Sequence, residues 1–321
     1  MIRPSVRRAG AAVLTLAAAA CAASVSQVEV PLVYDLDHDP AADIAEVDPD
    51  RGEVVPADEL RVLLRQQLSR HGVTLVQSMQ TVGVGDAEGS AAWIDAMVDN
   101  TGEITEAIGL VYGPTAAAAF NQQWAQHTQF LVDFAAAEHA GDDAGADEAL
   151  AQLEAYARDS GSFLEFATDQ RLPADLVEEM LVEHVEHMVE QLRAHRAGDH
   201  DRALELAIDD HDHLLAIGDA LAGAIADQHT GAFPGDIATG PGQRRSAATA
   251  SVGGLVHAEL THGDDTVEPW YRDVLDVADG DPDVRTLLDE FRSGTSVDAR
   301  ATVEATAELP RAVDTLLADT D

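Results

Sequence analysis

The residues of this chain best equipped for chemistry are its histidines. There are 13, and seven of them fall between positions 184 and 229. An imidazole can ligate a metal, shuttle a proton, or serve as a buried hydrogen-bonding group. Which role it takes depends on where its backbone element turns it. At about 100° per residue, Phe120, Trp124, His127, Leu131 and Phe134 share one helical stripe. Val177, Leu181, His184, Met188 and Leu192 share a second, and Leu204, Ile208, His211 and Leu215 a third. His127, His184 and His211 therefore face a predicted core. His213 falls on the opposite face of its helix, and His187 at the flank of its stripe.

Height along the helices can be read as well. His184 lies fourteen residues before Gly198 and His211 thirteen after it. At ~1.5 Å per residue, both sit near 20 Å from that turn, level on adjacent antiparallel helices. His127 takes the matching level in its own unit, and Gln67 or His71 is placed to complete the layer. Inward imidazoles at one level of a helical bundle suit a transition metal, with Zn or Cu the expected ions. Glu183 and His187 are the expected outer partners, fixing tautomers through His–carboxylate hydrogen bonds. The competing reading is that each ring is a core residue bonded to a nearby carbonyl, Glu or Gln. The acidic run Asp209-Asp210-His211-Asp212-His213 reads as a solvated face.

Signatures of other chemistry are missing. The bundle region has no Glu-x-x-His, His-x-x-x-His or His-Glu-x-x-His. There is no Gly-x-Ser-x-Gly and no phosphate loop, and the Gly83–Gly89 run follows no strand. A non-enzymatic role is expected.

The elements that must position these rings are helices. Asp58 is a plausible N-cap, with Leu60, Leu64, Leu68, His71 and Leu75 following at helical spacing. Further helices are predicted at 90–99, 102–111, 115–140, 144–167, 173–197 and 200–228. His127 to Asp142 is His, fourteen residues, Asp, ending Ala-Gly-Asp; His184 to Asp199 repeats it 57 residues later. A weaker third copy begins at Leu60. The prediction is an all-α fold: a bundle of repeated antiparallel helical hairpins over 59–230, plus a small acidic C-terminal helical region over 246–321. Gly231–Arg245 is read as a linker and Ala22–Asp58 as an acidic, Pro-containing tether, with a short strand near Val28–Tyr34 the alternative for its first part.

Segment 1–21 reads as a signal peptide: Arg3, Arg7 and Arg8 precede an uncharged Ala-rich run ending at the sole cysteine, Cys21. The placement suggests a lipobox, with Cys21 lipidated after cleavage; ordinary signal cleavage nearby is the alternative. The expected location is extracytoplasmic, anchored to the membrane through Cys21 or secreted. Partners expected there are the membrane itself, envelope proteins or further copies of this chain.

The charge supports that setting. The chain has 19 basic residues, all arginine, against 59 acids, for a net charge of −40. Removing the signal segment takes away three arginines and no acids, leaving −43. Such a surface repels phosphates and excludes nucleic acid as a partner. The absence of lysine and the dense carboxylates suit a salty medium, where screening lengths shrink to ~3 Å at 1 M.

Residues 60–234 resemble an uncharacterised family of small helical-hairpin repeat proteins from spore-forming Gram-positive bacteria. The resemblance rests on Leu60-Arg61-Val62-Leu63, the Tyr112-Gly113 turn, Trp124-Ala125-Gln126-His127, Ala140-Gly141-Asp142, Met180-Leu181-Val182-Glu183-His184 and the ending at Phe233-Pro234. It implies an α-helical bundle with one histidine in each of three repeats and no established activity. In this sequence those three slots fall on Gln67, His127 and His184. Gln67 departs from the pattern, and His71 stands one turn later.

Overall fold

The computed structural model describes residues 54–261, 267–294 and 298–318. Among them are nine helices and no strand, as the periodicity requires. They are α1 (Ala57–Val84), α2 (Ala87–Ala140), α3 (Asp143–Ala167), α4 (Ala174–Ala197), α5 (His200–Gln228), α6 (Gly242–Thr261), α7 (Glu268–Val277), α8 (Pro282–Gly294) and α9 (Ala299–Ala318). The signal segment, Cys21 and the suggested strand near Val28 lie outside the described residues.

One element hides a reversal. Inside α2, Gly113 takes φ 83° and ψ 174°, outside the helical region, and Pro114 follows it. A side chain at Gly113 would meet that left-handed φ with strain, and Pro114 suits the first turn of a new helix because its missing N–H has no partner there. The two arms fold back on each other. Asn121 Nδ2 donates to Thr105 Oγ1 at 3.0 Å, and a side chain at Gly109 would touch Ala117. The separate segments predicted at 90–99 and 102–111 are one continuous arm. Asn100 and Thr101, at their junction, are buried, and Asn100 Nδ2 donates to the carbonyl and side chain of Gln67.

The same turn chemistry closes three helices. Gly85, Gly141 and Gly198 each adopt a left-handed φ, and the Asp that follows caps the next helix. Asp86 accepts from Gly89 N, Asp142 from Gly145 N and Asp199 from Arg202 N. Because α2 reverses at Gly113, α1, the second arm of α2 and α4 all run toward these turns. The three turns gather at one end, where Glu138 bridges to Arg193 and Arg196 and His139 reaches the Gly83 carbonyl.

Helix α1 is the axis of the molecule, packed against α2, α4, α5 and α6. It is buried on nearly every side although it carries many hydroxyl and amide residues. Three of those hydroxyls are satisfied within the helix: Thr74 donates to the Arg70 carbonyl, Ser78 to Thr74 and Thr81 to Gln77.

The C-terminal helices share this core. Val73 of α1 and Trp93 of α2 belong to one apolar cluster with residues of α6 to α9. Arg245 ties Glu59 to Asp314, and Glu103 holds both Arg70 and Arg311. Asp58 does not cap α1; it is buried and accepts from Gly242 N at 2.8 Å, pinning the end of the 231–241 loop where α6 begins.

Candidate metal centre

Three of the four inward histidines meet. His71 on α1, His127 on the second arm of α2 and His184 on α4 each offer one nitrogen within 4.8 Å of the other two. All three are buried. The reason is geometric. His71, His127 and His184 each stand fourteen residues before the left-handed glycine of their turn: Gly85, Gly141 and Gly198. Helices running in the same direction to turns at one end therefore bring these rings to one height, ~21 Å from the turns. That spacing selects His71 over Gln67, which stands one turn too low. Gln67 instead bonds Asn100.

Two of the nitrogens stand at the spacing of ligands on one ion. His71 Nε2 and His127 Nε2 are 3.2 Å apart. Two nitrogens on a tetrahedral zinc, each bound at ~2.0–2.1 Å, are separated by about 3.3 Å. His184 Nδ1 lies 2.7 Å from Asp210 Oδ1. A carboxylate only accepts, so the ring donates from Nδ1, which leaves Nε2 as the ring atom that can ligate. That Nε2 is buried and has no partner. Imidazole backed by carboxylate is the usual support of a metal-ligating histidine, since it fixes the tautomer and raises basicity.

The electrostatics keep His71 and His127 available. Burial, with the nearby His127 and His184 rings, holds His71 well below the ordinary imidazole value. Burial is also the main cause at His127, lowered to about 3; His184 adds to it and the Trp124 carbonyl opposes it. Neutral imidazoles with free lone pairs are the form that binds metal.

The layer is closed on one side and hollow on the other. Toward the turns, Leu75, Leu131 and Met188 each follow a layer histidine by four residues, and all are fully buried. Away from the turns lies a cavity of about 60 Å³, lined by Leu64, Gln67, Phe120, Trp124, Tyr156 and Met180 among others, with no charged residue in its wall. Trp124 and Tyr156 separate it from the rings: Trp124 packs on His71 and His127, and Tyr156 stacks on His127 at 4.8 Å.

Two expected site residues lie elsewhere. His211 is buried, as its stripe predicts, but it faces α6. Its Nε2 meets the Ala250 carbonyl at 3.2 Å, and its ring packs beside His257 and against Gly253. Adjacent residues on a helix point about 100° apart, so when α5 aims Asp210 at His184 it turns His211 toward a different neighbour. Glu183 is also not the outer partner of the layer; it is about half exposed and stands 3.6 Å from His213 Nδ1. Its expected role falls to Asp210, which is buried rather than part of a solvated face. His187 does approach that partner, with Nδ1 3.8 Å from Asp210 Oδ1. The sequence held a signal for Asp210: it follows Gly198 by twelve residues, close to the layer's height.

No family model, curated protein or solved structure matches this chain.

Proposed function

We propose that this chain is an exported, membrane-anchored helical-bundle protein of the cell envelope that binds one transition-metal ion through His71, His127 and His184. Asp210 orients His184. The observation that carries this reading is the unpaired, buried Nε2 of His184, beside two other imidazoles and backed by a buried carboxylate. An unmet buried polar atom costs about 1–3 kcal/mol, and an ion in the layer would relieve it. Three neutral nitrogen donors favour Zn or Cu over hard cations. The role is binding, with no catalytic step assigned. A packing role is the second reading, favoured by one distance: 3.2 Å between two Nε2 atoms also suits an N–H···N bond between neutral rings.

Metal content separates the two. Protein refolded with Zn²⁺ or Cu²⁺ and dialysed is expected to retain one ion per chain. The His71/His127/His184 triple alanine variant is expected to retain none, and His211→Ala to retain the full amount. A dialysed, folded chain without stoichiometric metal would leave the packing reading standing.

The anchoring part of the reading rests on Arg3, Arg7, Arg8, the apolar run and the placement of Cys21. Among the described residues, no helix is long and apolar enough to cross a membrane. Metabolic acyl labelling is expected to mark the chain in its host and to vanish in Cys21→Ser. Labelling that persists in that variant refutes the anchor.

A further inference from the structure

A buried layer of ligands needs a way in for its ion. The turn side is blocked by Leu75, Leu131 and Met188. The opposite side opens on a mostly apolar cavity with no charged residue in its wall, and a cation that sheds water there meets only neutral groups. The seam between α4 and α5 is different.

Along that seam, groups able to ligate a cation are lined up from solvent to core. Side-chain exposure is 54% at Glu183, 21% at His187, 13% at His213, 3% at His184 and 2% at Asp210. His213 Nε2 lies 2.8 Å from the Met180 carbonyl. A carbonyl only accepts, so Nε2 donates, which leaves Nδ1 as the ring atom that can ligate a cation. That Nδ1 stands 3.6 Å from Glu183 Oε2. The two atoms are too far apart for a hydrogen bond and near the spacing of two ligands on one cation. The His187 ring is 5.9 Å from the His213 ring, centroid to centroid. Its Nδ1 has no hydrogen-bond partner and lies 3.8 Å from Asp210 Oδ1. The same carboxylate oxygen holds His184 at 2.7 Å.

We propose that Glu183, His213 and His187 form a transit site for a divalent transition-metal cation, passing it by way of Asp210 to the three-histidine centre. This rests on the metal-binding reading above. Glu183 and His213 capture the ion at the surface. His187 and Asp210 offer the next donors inward, Asp210 standing at the Nδ1 edge of the His184 ring. Among the described residues the only group of three donors found close enough to hold an ion is the buried layer. The outer groups therefore suit passage better than residence.

The test is the rate of Co²⁺ uptake by the full, metal-stripped chain, followed by the visible absorption of bound Co²⁺ after rapid mixing. His213→Gln keeps an amide N–H for the Met180 carbonyl, and Glu183→Gln alters an exposed group, so both are expected to fold. Each is expected to take up Co²⁺ at least ten-fold more slowly than the unmodified chain and to reach the same final stoichiometry. Glu179→Gln, which removes an equal charge from an exposed position nearby, controls for general attraction by the acidic surface and is expected to leave the rate unchanged. Unchanged rates in His213→Gln and Glu183→Gln overturn the transit site while leaving the metal centre intact. So does equal slowing in Glu179→Gln. A folded unmodified chain that binds no Co²⁺, Zn²⁺ or Cu²⁺ at equilibrium overturns the metal-binding reading, and the transit site with it.

Discussion

Asp210→Asn is expected to weaken metal binding ten- to a hundred-fold, the usual effect of removing an outer partner of a metal-bound histidine. Asp210 is buried and accepts from His184 Nδ1 at 2.7 Å. The asparagine oxygen can accept the same bond, so the ring keeps its orientation and tautomer. The negative charge is lost. With three neutral imidazoles as ligands, a divalent ion in the layer carries its full charge into a buried site, where an unneutralised charge is costly. Asp210 is the carboxylate in direct contact with a layer ring, and its charge offsets part of that cost. Competition against a chromophoric chelator measures the change. His184→Ala is expected to go further and abolish stoichiometric binding, because two imidazoles cannot supply a closed site. Equal affinity of Asp210→Asn and the unmodified chain would show that the carboxylate serves stability alone.

The second large effect is on stability against pH in the metal-free chain. An unfolded histidine takes up a proton near pH 6.5. In the folded chain His127 and His257 do so only at about 3, and His71 well below its ordinary value; burial is the main cause in each case. Between those limits the unfolded state binds more protons than the folded state. The stability from these rings is therefore full above pH 6.5 and is lost progressively as pH falls toward 3. Each ring contributes a slope of up to ~1.4 kcal/mol per pH unit. Urea unfolding at pH 7.5 and pH 5, in 1 M salt to screen the acidic surface, is expected to show a loss of order 6 kcal/mol, about 2 for each ring. Metal should leave in the same range, because protons and metal compete for the same lone pairs. Stability that is flat between pH 7.5 and pH 5 would contradict the buried, neutral state of these rings.

Much of the layer was legible because a helical stripe repeats. Phe120-Trp124-His127-Leu131 and Leu181-His184-Met188-Leu192 each mark one face, and burial followed at both histidines. The fourteen-residue interval from histidine to left-handed glycine also picks out His71, since Gly85-Asp86 repeats the turns at Gly141-Asp142 and Gly198-Asp199. Gln67 competes with it by standing one turn earlier on the same stripe. Asp210 is hidden from the pattern because it sits in a run of acids beside His211 and His213, and helical periodicity does not single out one carboxylate turned inward.

Sequence alone determined the helical class, the glycine turns, the acidic surface and the height of each histidine. Those properties are local: they depend on residue type and on the 1.5 Å rise of a helix. Tertiary structure decided which inward groups face one another. A stripe says that a side chain is buried and leaves open which helix buries it. His211 and Asp210 are neighbours on α5, yet one meets α6 and the other meets α4. That choice follows from where α1 and α6 pack around α5, a relation between segments far apart in the chain.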